Sequence, residues 1–128
     1  MLADDSPDNQ DLVSHVLRRS GADVMVADNG AMAVQLALGA RAEGRPFDVI
    51  LMDMQMPILD GYEATSRLRA SGYTGAIIAF TAHVMPEELE RSLAVGCNAY
   101  ATKPIDGRLL KLIRQFVPNR LDVLLPPP

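Results

Sequence analysis

The alternation of short apolar runs with amphipathic stretches constrains the fold of this chain more than any other sequence feature. Aliphatic runs lie at residues 23–27, 48–52 and 76–80, and their hydrophobicity is continuous rather than alternating. Continuous hydrophobicity is typical of strands that are buried on both faces. Stretches with helical spacing separate these runs. The pattern predicts a doubly wound α/β fold, with a mostly parallel sheet, right-handed crossovers and helices on both faces.

Proline and glycine residues divide the chain in agreement with this pattern. Pro7 and Pro86 stand where helices should begin, because proline is favoured in the first helical turn. Glycines stand where helices should end, at Gly21, Gly44, Gly72 and Gly96. A last, weakly signalled strand is predicted at residues 98–101, and a last helix at about residues 106–116.

The length of 128 residues fits one domain. We expect this domain to span residues 1–117 and to be followed by a proline-rich tail or linker at residues 118–128. Only Met1, Leu2 and Ala3 precede the first acidic pair, whereas strands usually have about 5 to 6 residues. We therefore expect a truncated first strand in a piece of a longer chain.

Composition excludes several classes of function. Twelve Lys and Arg residues against sixteen Asp and Glu residues give a formal charge of −4, so we expect no direct contact with nucleic acid. Cys97 is the only cysteine and has no partner for an internal disulfide, which favours a reducing, cytoplasmic location. No apolar run approaches the roughly 18 residues of a membrane span, and we expect no membrane contact by this domain.

Residues that carry chemistry follow four of the five predicted strands. Asp4 and Asp5 follow the first strand, and Asp53, Thr81 and Lys103 follow the third, fourth and fifth. Ligands of open parallel sheets bind at the carboxyl ends of the strands. Three carboxylates placed together repel one another unless a cation joins them, and Mg²⁺ is the natural candidate. Asp53 would then be the nucleophile toward phosphorus, with Lys103 and Thr81 contacting phosphoryl oxygens.

Each of these residues alone has an ordinary structural explanation, such as a solvated turn or a helix cap. Their joint placement favours a phosphoryl site, and the chain here resembles a response-regulator receiver domain. The resemblance covers about residues 2–116. It depends on four motifs, namely Leu-Ala-Asp-Asp-Ser-Pro-Asp-Asn at 2–9, Val-Ile-Leu-Met-Asp-Met-Gln-Met-Pro-Ile-Leu-Asp-Gly at 49–61, Ala-Phe-Thr-Ala at 79–82, and Gly-Cys-Asn-Ala-Tyr-Ala-Thr-Lys-Pro at 96–104.

The resemblance implies a flavodoxin-like, five-stranded sheet with strand order 2-1-3-4-5. It implies that Asp53 accepts a phosphoryl group from a phosphohistidine of a sensor histidine kinase or a histidine phosphotransfer domain. Mg²⁺ would be held, directly or through water, by Asp4, Asp5, Asp53 and the backbone carbonyl of Gln55. The resemblance also suggests a cis peptide bond between Lys103 and Pro104.

A switch between two states is also implied. By resemblance, Thr81 and Tyr100 are the switch pair, and phosphorylation changes the surface of the fourth helix, the fifth strand and the fifth helix. Gln55 and His83 each lie two residues beyond a site residue. We hypothesise that they border the path of an attacking water and set the lifetime of the phosphorylated state.

Two details favour one branch of the family. Residues 54–57 and 62–65 look like those of receivers from hybrid sensor kinases, so the parent chain could be a hybrid histidine kinase. Asn98 and Ala99 stand where many DNA-binding regulators have an acidic residue of a charged dimer face. We therefore expect a monomer or a weak dimer.

Three alternatives remain beside the phosphoacceptor. A phosphatase of the haloacid-dehalogenase kind needs a second aspartate two positions after the nucleophile, where this chain has Gln55. A flavodoxin-like flavin carrier needs a phosphate-cradling loop that the sequence lacks. A degenerate receiver would bind partners without phosphorylation, but the acidic set, Thr81 and Lys103 are all present. We expect no enzyme acting on free substrates, only a domain that catalyses its own phosphorylation and dephosphorylation.

Overall fold

The computed structural model of the chain describes residues 1–82 and 85–117. Five strands and five helices alternate along these ranges. His83 and the expected tail at residues 118–128 lie outside the described residues. No helix of the described ranges is long and apolar enough to cross a membrane, and the longest have 13 residues.

The sheet is parallel throughout and has the order β2-β1-β3-β4-β5. This confirms the expected doubly wound fold and its strand order. The elements are β1 (Leu2–Ala3), α1 (Pro7–Arg19), β2 (Val26–Ala27), α2 (Gly30–Ala42), β3 (Val49–Met52), α3 (Gly61–Ala70), β4 (Ala76–Thr81), α4 (Pro86–Ala94), β5 (Ala99–Thr102) and α5 (Gly107–Phe116).

Side chains that precede the helices fix where the helices begin. Ser6, Asn29 and Asp60 each accept a hydrogen bond from a backbone N–H of the first turn that follows. Asp106 does the same for two N–H groups of α5. Pro86 opens α4 without a side-chain cap, as its position in the sequence predicted.

The sheet is covered on both faces by separate apolar clusters. Because side chains alternate along a strand, Ile50 and Met52 of β3 face one cluster with α2 and α3, whereas Val49 and Leu51 face the other. The second cluster joins the sheet to α1 and α5. All four residues of β3 are buried, so the strand that leads to Asp53 is held rigidly in the middle of the fold.

Two strands differ from their predicted extents. The run 23–27 was expected to be a strand buried on both faces, but β2 contains only Val26–Ala27 and Met25 is 49% exposed. β2 lies at the sheet edge, and the short β1 offers partners to Val26 and Ala27 alone. β5 is shifted by one residue from the predicted 98–101 because Ala99 is the first residue that pairs with β4.

Candidate functional site

Asp53 lies directly after β3 at the carboxyl edge of the sheet. Its backbone N–H donates to Ala3 O at 2.9 Å, which ties it to the neighbouring β1. Its side chain is buried and its two oxygens have different partners. Oδ1 accepts from the backbone N–H of Gln55 at 3.0 Å, and Oδ2 accepts from Lys103 Nζ at 3.1 Å. The carboxylate is therefore held in one orientation at the head of a buried strand.

Lys103 follows β5 and reaches across the strand ends to two carboxylates. Its Nζ lies 2.8 Å from Asp4 Oδ2 as well as 3.1 Å from Asp53 Oδ2. The contact with Asp4 is a close ion pair between two side chains that are largely shielded from solvent. The backbone N–H of Lys103 donates to Thr81 O at 2.8 Å, so β4 positions the lysine. The peptide bond between Lys103 and Pro104 is cis, as the resemblance suggested.

Three carboxylates come together at this edge. One oxygen from each of Asp4, Asp5 and Asp53 lies within 4.8 Å of the other two. Asp4 is fully buried, whereas Asp5 is exposed to solvent. Lys103 supplies one positive charge against three negative charges, so the cluster keeps an excess of negative charge. Oxygen ligands of this kind, partly open to water, fit a small divalent cation such as Mg²⁺.

Burial and pairing shift the pKa values of the two central groups. Burial raises the pKa of Asp53, and the hydrogen bonds from Gln55 and Lys103 only partly oppose that rise. Burial by itself lowers the pKa of Lys103, but its polar contacts and charge interactions with Asp4 and Asp53 outweigh burial and raise it. Lys103 is therefore a permanent cation at neutral pH, and removing solvent from Asp53 disfavours its charged form.

The predicted switch residues lie on adjacent strands. Thr81 ends β4 with a buried side chain, and Tyr100 in β5 is 40% exposed. In the ladder, Ala79 is opposite Tyr100 and Thr81 is opposite Thr102. Since alternate residues of a strand share a face, Thr81 and Tyr100 project from the same side of the sheet. Gln55 is exposed beside Asp53.

The structure thus brings one carboxylate oxygen from each of Asp4, Asp5 and Asp53 within 4.8 Å of the others and places Lys103 in contact with Asp4 and Asp53, with Thr81 at the end of the neighbouring strand β4. Two further residues at this edge, Gln10 and Asp28, were not predicted from the sequence. Gln10 Nε2 donates to Asp4 O at 2.6 Å and to Asp28 Oδ1 at 2.9 Å. Asp28 directly follows β2, so the rule of looking at strand ends could have found it. No sequence signal pointed to Gln10.

Known proteins share this sequence pattern. A model of the family described as response regulator receiver domain matches residues 1–114. The chain is 39% identical over 114 residues to hybrid signal transduction histidine kinase I of Dictyostelium discoideum, covering 86% of this chain and 7% of that protein. It is 34% identical over 115 residues to two-component response regulator ORR41 of Oryza sativa, covering 88% of each.

Solved structures share the fold. The receiver domain of a sensor histidine kinase from Pseudomonas aeruginosa, with a magnesium ion coordinated in its active-site cleft, superposes with a TM-score of 0.79 at 35% identity, covering 92% of this chain and 95% of that one. Chemotaxis protein CheY4 of Vibrio cholerae gives a TM-score of 0.77 at 31% identity, covering 90% and 94%. With the family match extending over most of a chain that has this strand order, the chain belongs to the response regulator receiver domains of two-component systems.

Proposed function

We propose that this chain is a phosphoacceptor that receives a phosphoryl group on Asp53 from the phosphohistidine of a sensor histidine kinase or a histidine phosphotransfer domain. The observation that carries the proposal is the shared contact of Lys103 Nζ with Asp4 and Asp53 beside a third carboxylate. An ion pair alone would not need three carboxylates. A site for phosphoryl transfer needs both the negative cluster and the cation.

The transfer requires one bond to form and one to break. A carboxylate oxygen of Asp53 attacks the phosphorus, the P–N bond to the donor imidazole breaks, and its electron pair remains on the imidazole nitrogen. The product is an acyl phosphate on Asp53. Burial of Asp53 supports this role because a poorly solvated carboxylate is a better nucleophile than a fully hydrated one.

The residues around Asp53 hold it and neutralise charge. Gln55 and Lys103 fix the carboxylate through both of its oxygens. Asp4, Asp5, Asp53 and the carbonyl of Gln55 would hold Mg²⁺, which, when bound, supplies positive charge to the transferring phosphoryl group. Lys103 supplies further positive charge from the side of β5.

Phosphorylation would then bias a switch. The modification adds charge near −2 and new acceptor oxygens at Asp53. The hydroxyl of Thr81, at the end of the adjacent strand, would move to donate to one of these oxygens. Tyr100 projects from the same face of the sheet, so the vacated space lets its ring turn inward. The surface formed by α4, β5 and α5 would change for a partner to read.

Intact mass measurement tests the proposal. The chain is incubated with acetyl phosphate and Mg²⁺, beside Asp53→Asn and a Mg²⁺-free sample, and the fold of each is checked by circular dichroism. We expect a base-labile gain of one phosphoryl group in the unaltered chain that is absent from both controls. A folded chain that gains no phosphoryl group would overturn the proposal and favour a receiver that binds partners without phosphorylation.

A further inference from the structure

Gln10 makes two hydrogen bonds through a single nitrogen. It lies in α1, five residues after Asp5, and its side chain turns back toward the strand ends. Nε2 donates to the backbone carbonyl of Asp4 at 2.6 Å and to Oδ1 of Asp28 at 2.9 Å. A primary amide nitrogen has two N–H donors, so both donors of Gln10 are used.

The orientation of this amide is determined by its neighbours. Both partners of the nitrogen, the Asp4 carbonyl and the Asp28 carboxylate, can only accept hydrogen bonds. Turning the amide by half a rotation would place its oxygen against two acceptors. Asp28 therefore anchors Gln10 with its nitrogen directed at Asp4. The first helix, the end of β2 and the end of β1 are joined at this nitrogen.

Asp4 is restrained by hydrogen bonds of its own backbone and side chain, whereas Asp5 is restrained through the peptide that joins it to Asp4. The Asp4 N–H donates to Ala27 O at 3.0 Å, and its Oδ1 accepts from the Ser6 N–H at 2.9 Å. Within the described residues, the carboxylate of Asp5 makes no hydrogen bond or ion pair of its own. The Asp4 carbonyl that Gln10 holds belongs to the same planar peptide unit as the Asp5 nitrogen. Gln10 therefore helps to fix the plane of the Asp4–Asp5 peptide, which includes the Cα atom that carries the Asp5 side chain.

We propose that Gln10 is a positioning residue for the divalent cation, acting through the Asp4–Asp5 peptide to hold Asp5 in place as a ligand. The inference rests on the proposed function, because it assumes that Asp4, Asp5 and Asp53 bind Mg²⁺. An exposed ligand that is already oriented loses less freedom when the cation binds. Partners that orient metal ligands typically contribute about 10-fold or more to metal affinity.

The test replaces Gln10 with methionine, which has similar length and helix propensity but no N–H donor. Gln115→Met is the matched control, because Gln115 is exposed near the C-terminal end of α5 and, within the described residues, no hydrogen bond or ion pair joins it to the cluster. Calorimetric titration with MgCl₂ measures the dissociation constant of each variant. We expect Gln10→Met to raise this constant about 10-fold and Gln115→Met to leave it unchanged. Equal constants for Gln10→Met and the unaltered chain would overturn the inference.

A double-mutant cycle separates positioning from a general loosening of the fold. If Gln10 acts through Asp5, then Gln10→Met weakens Mg²⁺ binding in the unaltered chain but not in the Asp5→Asn background. Equal losses in both backgrounds would overturn the inference in favour of a purely structural role.

A further readout needs no metal. Nitrogen relaxation of the Asp5 amide in the metal-free chain should show greater mobility in Gln10→Met than in Gln115→Met, and equal mobility would also contradict positioning.

If the unaltered chain binds no Mg²⁺, the proposed function fails together with this inference. If it binds Mg²⁺ and Gln10→Met binds equally well, only the role of Gln10 fails.

Discussion

Lys103 Nζ lies 2.8 Å from Asp4 Oδ2, closer than its 3.1 Å distance from Asp53 Oδ2. The lysine therefore neutralises the most buried carboxylate of the cluster as well as contacting the proposed phosphoacceptor. Removing it would leave two buried carboxylates without a cation, which is costly in a protein interior. A divalent cation could take over this neutralisation.

From this relationship we expect Lys103→Met to lower both the stability of the chain and its rate of phosphorylation. Mg²⁺ should restore the stability but not the rate. Without Mg²⁺, the free energy of unfolding should fall by about 1 to 3 kcal/mol, because hydrogen bonds to charged groups are lost. Saturating Mg²⁺ should restore most of this stability, and the rate of phosphorylation should still fall by about 100-fold. Urea unfolding with and without MgCl₂ measures the first effect, and intact mass over time measures the second.

The control for this variant is Lys111→Met, at an exposed position of α5. It should change neither the Mg²⁺ dependence of unfolding nor the phosphorylation rate. Phosphorylation of Lys103→Met at the unaltered rate would contradict the role of the lysine in charge neutralisation.

The raised pKa of Asp53 predicts a pH-dependent gain in stability on neutralising it. Burial makes the folded chain hold this proton more tightly than the unfolded chain does, so the ionised carboxylate lowers stability at neutral pH. In Mg²⁺-free buffer, Asp53→Asn should therefore be more stable than the unaltered chain at neutral pH. The difference should shrink as the pH falls below the folded pKa, because Asp53 is then protonated in the unaltered chain as well.

Urea unfolding followed by circular dichroism across a pH series checks this difference, and Asp11→Asn on the exposed side of α1 is the control. If the Asp53→Asn variant is less stable than the unaltered chain at neutral pH, the direction of the pKa shift is contradicted.

The position of Tyr100 predicts a spectroscopic signature of the switch. Tyr100 is 40% exposed, and phosphorylation should lower this exposure only where Thr81 can donate a hydrogen bond. With ¹³C-labelled tyrosine, the ring resonances of Tyr100 should shift on adding acetyl phosphate and Mg²⁺. The Thr81→Ala variant should still accept a phosphoryl group but show no shift of the Tyr100 resonances. The Thr81→Ser variant should show the same shift as the unaltered chain. The same shift in Thr81→Ala as in the unaltered chain would exclude coupling between the pair.

The doubly wound fold and the meeting of the central site residues could be predicted from the sequence because both depend on the direction of the strands, whereas the strand order came from the resemblance to receiver domains. Parallel strands bring their carboxyl ends to one edge whatever their separation along the chain. Asp53 and Lys103 are 50 residues apart, yet their meeting needs only that β3 and β5 end on the same side of the sheet.

Other features depend on packing that no local pattern records. The contact of Gln10 with Asp4 requires a particular rotation of α1, which is set by Val13 and Leu17 packing against the sheet. The length of β2 depends on how many partners β1 offers, and this is a property of the pair rather than of residues 23–27. The periodicity of apolar residues in the sequence predicts neither the rotation of α1 nor the length of β2.

The prediction on the lifetime of the phosphorylated state depends on Gln55 and His83. Gln55 is exposed beside Asp53 and binds it only through its backbone N–H, so its side chain is available to border the path of an attacking water. After removal of acetyl phosphate, Gln55→Ala and His83→Ala should each change the rate at which the phosphoryl group is lost. Gln115→Ala should not. Unchanged rates in both variants would refute a role for these side chains.

Gly61 shows how closely α3 approaches the site. A Cβ at this position would lie 2.3 Å from Asp53 O and 2.8 Å from Met54 Cα, both backbone atoms that cannot yield without moving the strand end. We expect Gly61→Ala to lower the free energy of unfolding by about 1 to 3 kcal/mol and to slow phosphorylation, because the displaced backbone carries the Asp53 carboxylate.

Gly39 provides the matched substitution, because it lies within α2 and a Cβ there would meet nothing within 4 Å. Gly39→Ala should therefore raise stability by about 0.5 to 1 kcal/mol through the lower backbone entropy of the unfolded chain, with no change in phosphorylation. Thermal unfolding and intact mass over time measure both quantities in both variants. Equal phosphorylation rates in the two alanine variants would show that the approach of α3 does not determine the position of Asp53.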